Sequence, residues 1–195
     1  MLVREFQRIR EDHKKAIQKR LARITIGSSV GRVFQENTVH KIWPVLEKID
    51  LDAMKKIKSQ EQYREWFEKQ LNILAAKIKK TNPNNKRIYP GYKWGHATKI
   101  LCLFLNDIVV HRDFFNSATA NRLINFLYAP IDSVVMRRLK HLGIKLDFYK
   151  IKQIDSREKF YSIQYILGNA AQKVKVSRIW FDDNWGDRQN VQDNN

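Results

Sequence analysis

Cysteine is nearly absent from the chain, with a single one, Cys102, among its 195 residues. No disulfide can form within the chain, and no cysteine cluster exists to hold zinc or an iron–sulfur cluster. Cys102 lies in an apolar run, so we expect it to be a small core residue. This cysteine usage is typical of a reducing compartment, and we predict a cytoplasmic, monomeric protein that needs no metal or other cofactor.

Long hydrophobic runs are also missing. The longest, Ile100–Leu105, is far too short to cross a bilayer, which takes about 20 apolar residues. The chain is charged from Arg4 onward, so we expect no secretory signal peptide and no membrane partner.

Acidic residues are scarce, and they are unevenly placed. The 37 Lys and Arg outnumber the 20 Asp and Glu, which gives a net charge of +17. No carboxylate occurs from Lys69 to Asn106 or from Ser133 to Leu146, although both stretches are rich in lysine and arginine. A basic surface without a partner remains an alternative, but this segregation favours a polyanion such as DNA.

Apolar residues recur at steps of three and four, which predicts one all-α domain over residues 1–185 and a polar tail over 186–195. The first helix should carry Phe6, Ile9 and His13 on its buried face. Ser59–Gln62 and Asp155–Glu158 fit capping boxes that start two further helices. The helix from about Gly95 to Val110 is apolar nearly all round, so it should be central. Further helices are predicted near residues 30–49, 51–57, 117–127, 131–143 and 176–183.

Asp132 is a lone carboxylate beside Pro130, at the predicted start of the 131–143 helix. A carboxylate is stabilised there by the helix dipole and by free N–H groups, so Asp132 can simply cap the helix. An ionised, partly desolvated acid can also stabilise a developing cation or orient a nucleophile. Both interpretations stay open from the residues alone.

The segment from Pro83 to Gly95 combines glycines, basic residues and aromatic rings. Gly91 and Gly95 allow close backbone approach, and N–H groups that open a helix bind phosphate well. The segment lacks the Gly-Lys-Ser/Thr ending of a Walker A loop. We predict DNA contacts here and on the 131–143 helix, and aromatic pocket or wedge residues in the same segment. The alternative is an ordinary exposed loop whose aromatic rings pack inward. The predicted DNA contacts are Lys86, Arg87, Gly91, Lys93, Gly95, His96, Arg137, Arg138 and Lys140, and the predicted pocket or wedge residues are Tyr89, Tyr92 and Trp94.

The order of glycine turn, buried helix and Ile131-Asp132-Ser133 resembles the helix–hairpin–helix DNA glycosylases of the endonuclease III superfamily. The resemblance covers about Pro90 to Leu139. The pair Gly91 and Gly95 is spaced two residues wider than the family hairpin, and Asp132 follows Gly95 by 37 residues (132 − 95). This interval is more similar to the archaeal 8-oxoguanine glycosylase branch.

The resemblance implies an all-helical enzyme of DNA repair, or of defence against modified phage DNA, that flips a damaged or modified base out of the duplex. Asp132 would stabilise the cationic sugar as the base leaves. Lys99 would be the candidate nucleophile of an associated lyase activity. It lies four residues past Gly95, which is beyond the usual family position; this chain has Ala97 at that position.

Two other functions remain open. One is a nucleic-acid-binding protein without activity, in which Asp132 only caps. The other is a metal-dependent nuclease that uses Asp182 and Asp183. The triplet His111-Arg112-Asp113 resembles a kinase motif by chance, since no glycine loop accompanies it.

Overall fold

Helices make up the regular secondary structure of this computed structural model, which describes residues 2–27, 34, 37–78, 92–111, 113–141, 143–148 and 150–183. No strand occurs in these ranges, so the all-α prediction is confirmed. The predicted 186–195 tail lies outside them. The helices are α1 (Leu2–Thr25), α2 (Thr38–Glu47), α3 (Leu51–Lys55), α4 (Gln60–Lys77), α5 (Tyr92–Val110), α6 (Ser117–Ile124), α7 (Ser133–His141), a 3₁₀ turn (Ile151–Gln153), α8 (Arg157–Lys173) and α9 (Trp180–Asp183).

Side-chain caps set where several helices begin. The Ser59 hydroxyl accepts a hydrogen bond from the Gln62 N–H at 3.3 Å, which starts α4 where the sequence predicted. At α8 the cap is Ser156, which accepts from the Lys159 N–H, so the helix is capped one residue later than the predicted Asp155–Glu158 box. The helix α7 ends before Gly143, whose φ of 77° is the left-handed conformation of a helix C-terminus.

The apolar helix α5 lies at the centre of the described core, as predicted. It packs against α1, α4, α6 and the 3₁₀ turn. Its side chains are buried on several faces, including Ile100, Phe104 and Ile108. Cys102 is 1% exposed, which confirms its assignment to the core.

The predicted buried face of α1 is wrong over its first half. Phe6 and Ile9 are 66% and 55% exposed, and the side chain of His13 is 62% exposed rather than in the core. Burial begins only at Gln18, whose amide donates to the carbonyls of Leu46 and Ile49, both at 3.1 Å. The helical period alone cannot show how far a helix extends past the elements that cover it.

No helix in the described residues is both long enough and apolar enough to span a membrane.

Candidate active site

The carboxylate of Asp132 lies at the start of α7. Its Oδ1 accepts hydrogen bonds from the N–H groups of Val134 at 2.8 Å and Val135 at 3.0 Å. Asp132 therefore does cap the helix, as one of the two interpretations predicted. The side chain is only 14% exposed, because Ile131 and Val135 on either side are buried.

The second oxygen of Asp132 makes an ion pair with Lys99. Lys99 Nζ lies 3.1 Å from Asp132 Oδ2, and the Lys99 side chain is 20% exposed. Lys99 is on α5, so the tertiary structure joins two residues that are 33 positions apart. These are the two residues that sequence analysis selected as catalytic.

The electrostatic environment keeps Asp132 ionised. Burial raises the pKa of Asp132, but the Lys99 ammonium and the Val135 and Val134 N–H groups outweigh burial and hold the pKa below its ordinary value. The carboxylate is therefore negatively charged at neutral pH, although it is mostly shielded from water.

Gln164 on α8 fixes the backbone that leads to Asp132. Its Nε2 donates to the Ala129 carbonyl at 2.7 Å, and its Oε1 accepts from the Ala129 N–H at 3.0 Å. Gln164 is 1% exposed, and Ala129 lies three residues before Asp132. We did not predict this residue, but a signal was present: Phe160, Ile163 and Leu167 place position 164 on a buried helical face, where a glutamine needs partners.

Gly95 does not lie in a surface turn before the helix, so its predicted placement is wrong. It is buried inside α5, where a Cβ atom would overlap the carbonyl oxygen of Ile151. The glycine is needed for the close approach of the 3₁₀ turn rather than for contact with a phosphate. Lys99 follows Gly95 by four residues, so it lies one helical turn later on the same face of α5.

His96 differs from the prediction of a DNA contact, whereas the predicted pocket or wedge role of Trp94 stays a prediction. His96 is 6% exposed, and its ring lies edge-on to Phe34, with 5.8 Å between centroids. Trp94 is partly buried and packs against the core. Both residues support the start of α5 from inside.

The predicted cations on α7 are at the surface. Arg137 and Lys140 are exposed, on the helix that Asp132 caps. Other predicted site residues lie outside the described part of the chain, either wholly or by their side chains. They are Lys86, Arg87, Tyr89 and Gly91, and the side chains of Tyr92, Lys93 and Arg138.

Comparison of the chain with protein-family models, curated proteins and solved structures gives no match. The geometry of the Lys99–Asp132 pair therefore carries the functional argument.

Within the described residues, no three His, Cys, Asp or Glu side chains come together as a metal site. The carboxylates of Asp182 and Asp183, which the nuclease hypothesis requires, lie outside the described side chains.

Proposed function

We propose that the protein is a DNA glycosylase that uses Asp132 and Lys99 to release a damaged or modified base from a duplex. The observation that carries this proposal is the 3.1 Å ion pair between the two side chains. Both groups are largely shielded from water: the acid can stabilise the sugar cation that forms as a base leaves, and the amine can attack that sugar.

The proposed chemistry follows from the charges. The bond between C1′ of the sugar and the base nitrogen breaks, and its electron pair leaves on the base. The sugar becomes cationic, and the carboxylate of Asp132 stabilises that charge because its pKa is held low. The protonated Lys99 can give its proton to the departing base.

The neutral amine of Lys99 can then donate its electron pair to C1′ and form a covalent bond to the sugar. The bond between C1′ and the ring oxygen O4′ then breaks, O4′ takes up the proton released from the new C1′–N bond, and a Schiff base results, from which a lyase cuts the strand. If water attacks C1′ instead, Lys99 forms no bond to the sugar; it orients Asp132, keeps it ionised and can still protonate the departing base.

The charge distribution supports a DNA substrate. Arg137 and Lys140 are exposed on the helix that begins at Asp132, and no carboxylate interrupts the sequence from Ser133 to Leu146. Lys150 and Lys152 add positive charge on the 3₁₀ turn beside α5. Positive side chains of this kind attract the phosphates of a duplex.

The experiment is incubation of the protein with a panel of duplexes that carry oxidised, alkylated, deaminated or bulky modified bases, with detection of free base and abasic sites. We expect base release from at least one duplex and a loss of about 100-fold or more in Asp132→Asn. A matched control is Asp50→Asn, because Asp50 also caps a helix through two N–H groups but does so at the start of α3. Equal activity in Asp132→Asn and wild type would refute the assignment.

Borohydride reduction tests the role of Lys99, because it converts a Schiff base into a stable protein–DNA adduct. We expect an adduct with the wild-type protein and none with Lys99→Gln. Lys159→Gln, which removes the partner of Asp155 at 2.7 Å, is the control and should still form the adduct. Base release without an adduct would mean that water attacks the sugar.

A second candidate is a DNA-binding protein without activity. It is favoured by the hydrogen bonds to Val134 and Val135, which give Asp132 a structural role that requires no chemistry. In that case the wild-type protein binds duplex DNA but releases no base from any member of the panel.

A further inference from the structure

A cavity of about 430 Å³ lies where the start of α4, the end of α6, α8 and the segment before α9 meet. Its size is in the range of pockets that hold small organic ligands. Its polar lining includes Gln60, Asn125, Asn169, Gln172, Ser177 and Arg178. These residues have no part in the proposed glycosylase chemistry.

The lining is unbalanced in charge. Arg178 contributes a guanidinium, and the described residues that line the cavity include no carboxylate; their polar side chains are mainly amides. Amide side chains can donate and accept hydrogen bonds without neutralising a charge. The positive charge of Arg178 is therefore not compensated by the cavity lining.

The partners of Arg178 are neutral. Its Nη2 donates to Gln60 Oε1 at 2.9 Å and to the Phe126 carbonyl at 3.3 Å, and its guanidinium lies 5.0 Å from the centroid of the Tyr128 ring. In the part of the chain that the structure describes, neither Nη1 nor Nε donates to an acceptor. Burial lowers the pKa of Arg178, as expected for a desolvated cation without an anionic neighbour.

Gly168 leaves space next to this guanidinium. A Cβ atom at Gly168 would lie 3.4 Å from Arg178 Cδ and 3.8 Å from Arg178 Nη1. Any residue with a side chain would narrow the cavity on the side where Nη1 has hydrogen atoms to donate. A glycine in the interior of α8 is otherwise unfavourable for the helix.

We propose that this cavity binds a phosphate monoester of nucleotide size, with the phosphate on Arg178 and the organic part along the amide wall. A guanidinium is well suited to phosphate oxygens, and asparagine and glutamine can pair with the edges of a base. Tyr165, 69% exposed, lines the same cavity and offers a ring face for stacking. The phosphate comes either from a free nucleotide or from the end of a nucleic-acid strand.

The test is titration of the ¹⁵N-labelled protein with AMP, with adenosine as the control that lacks the phosphate. We expect saturable shifts of the Arg178 Nε–Hε and Gly168 N–H signals with AMP, and much smaller shifts with adenosine. An oligonucleotide with a 5′-phosphate, compared with the same strand without it, distinguishes a strand end from a free nucleotide. The absence of saturable shifts from both phosphorylated probes at concentrations up to about 10 mM would overturn the proposal.

Variants give the test a second readout. Arg178→Gln should weaken AMP binding at least 10-fold, whereas Lys173→Gln removes the same charge from an exposed position of α8 and should bind AMP as the wild type does. Because Arg178 also holds Gln60 and Phe126, Gly168→Ala serves as a variant that keeps the charge and should fold at least as well. We expect it to bind AMP several-fold more weakly; unchanged affinity in both Arg178→Gln and Gly168→Ala would place the nucleotide elsewhere.

Discussion

Asp132 shows how one side chain can be held by structural contacts and still have the charge that chemistry needs. One oxygen accepts the N–H groups that open α7, and the other faces Lys99. Aspartate and asparagine can both accept the capping N–H groups, but only aspartate has the negative charge that pairs with Lys99. The two contacts can be separated because they respond differently to substitution and to pH.

Asp132→Asn should lower the free energy of unfolding by about 1 to 2 kcal/mol at pH 7, because asparagine keeps the cap but loses the ion pair. The folded-state pKa of Asp132 lies below its ordinary value of 3.8, so at acidic pH this carboxyl group binds fewer protons in the folded state than in the unfolded state. Its contribution is thus complete above about pH 5 and is lost as the pH falls through the folded pKa below 3.8. Urea unfolding of both proteins from pH 7 to pH 3 measures this difference, and a gap that stays constant below pH 4 would contradict the pKa assignment.

Position 95 has no room for a side chain, because the backbone of Ile151 lies directly against Gly95. Gly95→Ala should destabilise the fold by about 1 to 3 kcal/mol, because its Cβ would overlap the Ile151 carbonyl and push the 3₁₀ turn from α5. Gly168→Ala is the matched control, since a Cβ there meets Arg178 only at ordinary contact distance. Thermal unfolding of the two variants checks the prediction, and equal midpoints would count against the close approach.

At the scale of elements, the candidate site depends on four pieces of structure. Lys99 comes from α5 and Asp132 from the start of α7, while Gln164 of α8 holds the connecting backbone at Ala129. The 3₁₀ turn covers α5 at Gly95. The alignment of Lys99 with Asp132 is therefore set by packing between helices and cannot be read from either helix alone.

Gln164→Glu tests the clamp on the Ala129 backbone with almost no change in shape. At pH 7 an ionised glutamate cannot donate to the Ala129 carbonyl and buries a charge, so we expect a loss of about 2 to 3 kcal/mol in unfolding free energy. Burial should raise the folded pKa of this glutamate above its unfolded value, so the folded state binds more protons and stability returns as the pH falls. Urea unfolding at pH 7 and pH 5, relative to wild type at each pH, should show the deficit shrinking.

At the scale of the whole molecule, positive and negative charges are segregated along the chain, and this segregation bears on how the protein would bind DNA. The exposed Arg137 and Lys140 of α7 and the acid-free stretch around them should make duplex binding strongly dependent on salt.

Replacing Arg137 and Lys140 together with glutamine should reduce the slope of log binding constant against log salt concentration by about 0.9 for each phosphate that the protein no longer neutralises. Arg4 and Arg8, on the exposed half of α1, provide a control with the same change in net charge. Fluorescence anisotropy on one duplex at several salt concentrations measures both. An equal reduction in the two double variants would indicate that net charge, rather than this surface, attracts DNA.

Much of the helical architecture could be predicted from local signals. The apolar run from Ile100 to Leu105, the serine cap at Ser59 and the glycine after α7 each act within a few residues, so the sequence displays them directly. The errors have a common cause: the burial of His13 and His96 and the placement of Gly95 depend on which other elements lie nearby. That information is held in contacts between residues far apart in the chain.

The sequence by itself determined the all-α class, the apolar central helix and the excess of positive charge. These are properties of composition and of short-range periodicity. Only the tertiary structure decided that Lys99 and Asp132 meet at 3.1 Å, that Gln164 holds the backbone beside them, and that Arg178 enters a cavity whose described lining has no acid. Distances of this kind follow from how helices pack, because side chains from separate helices meet only after the core has formed.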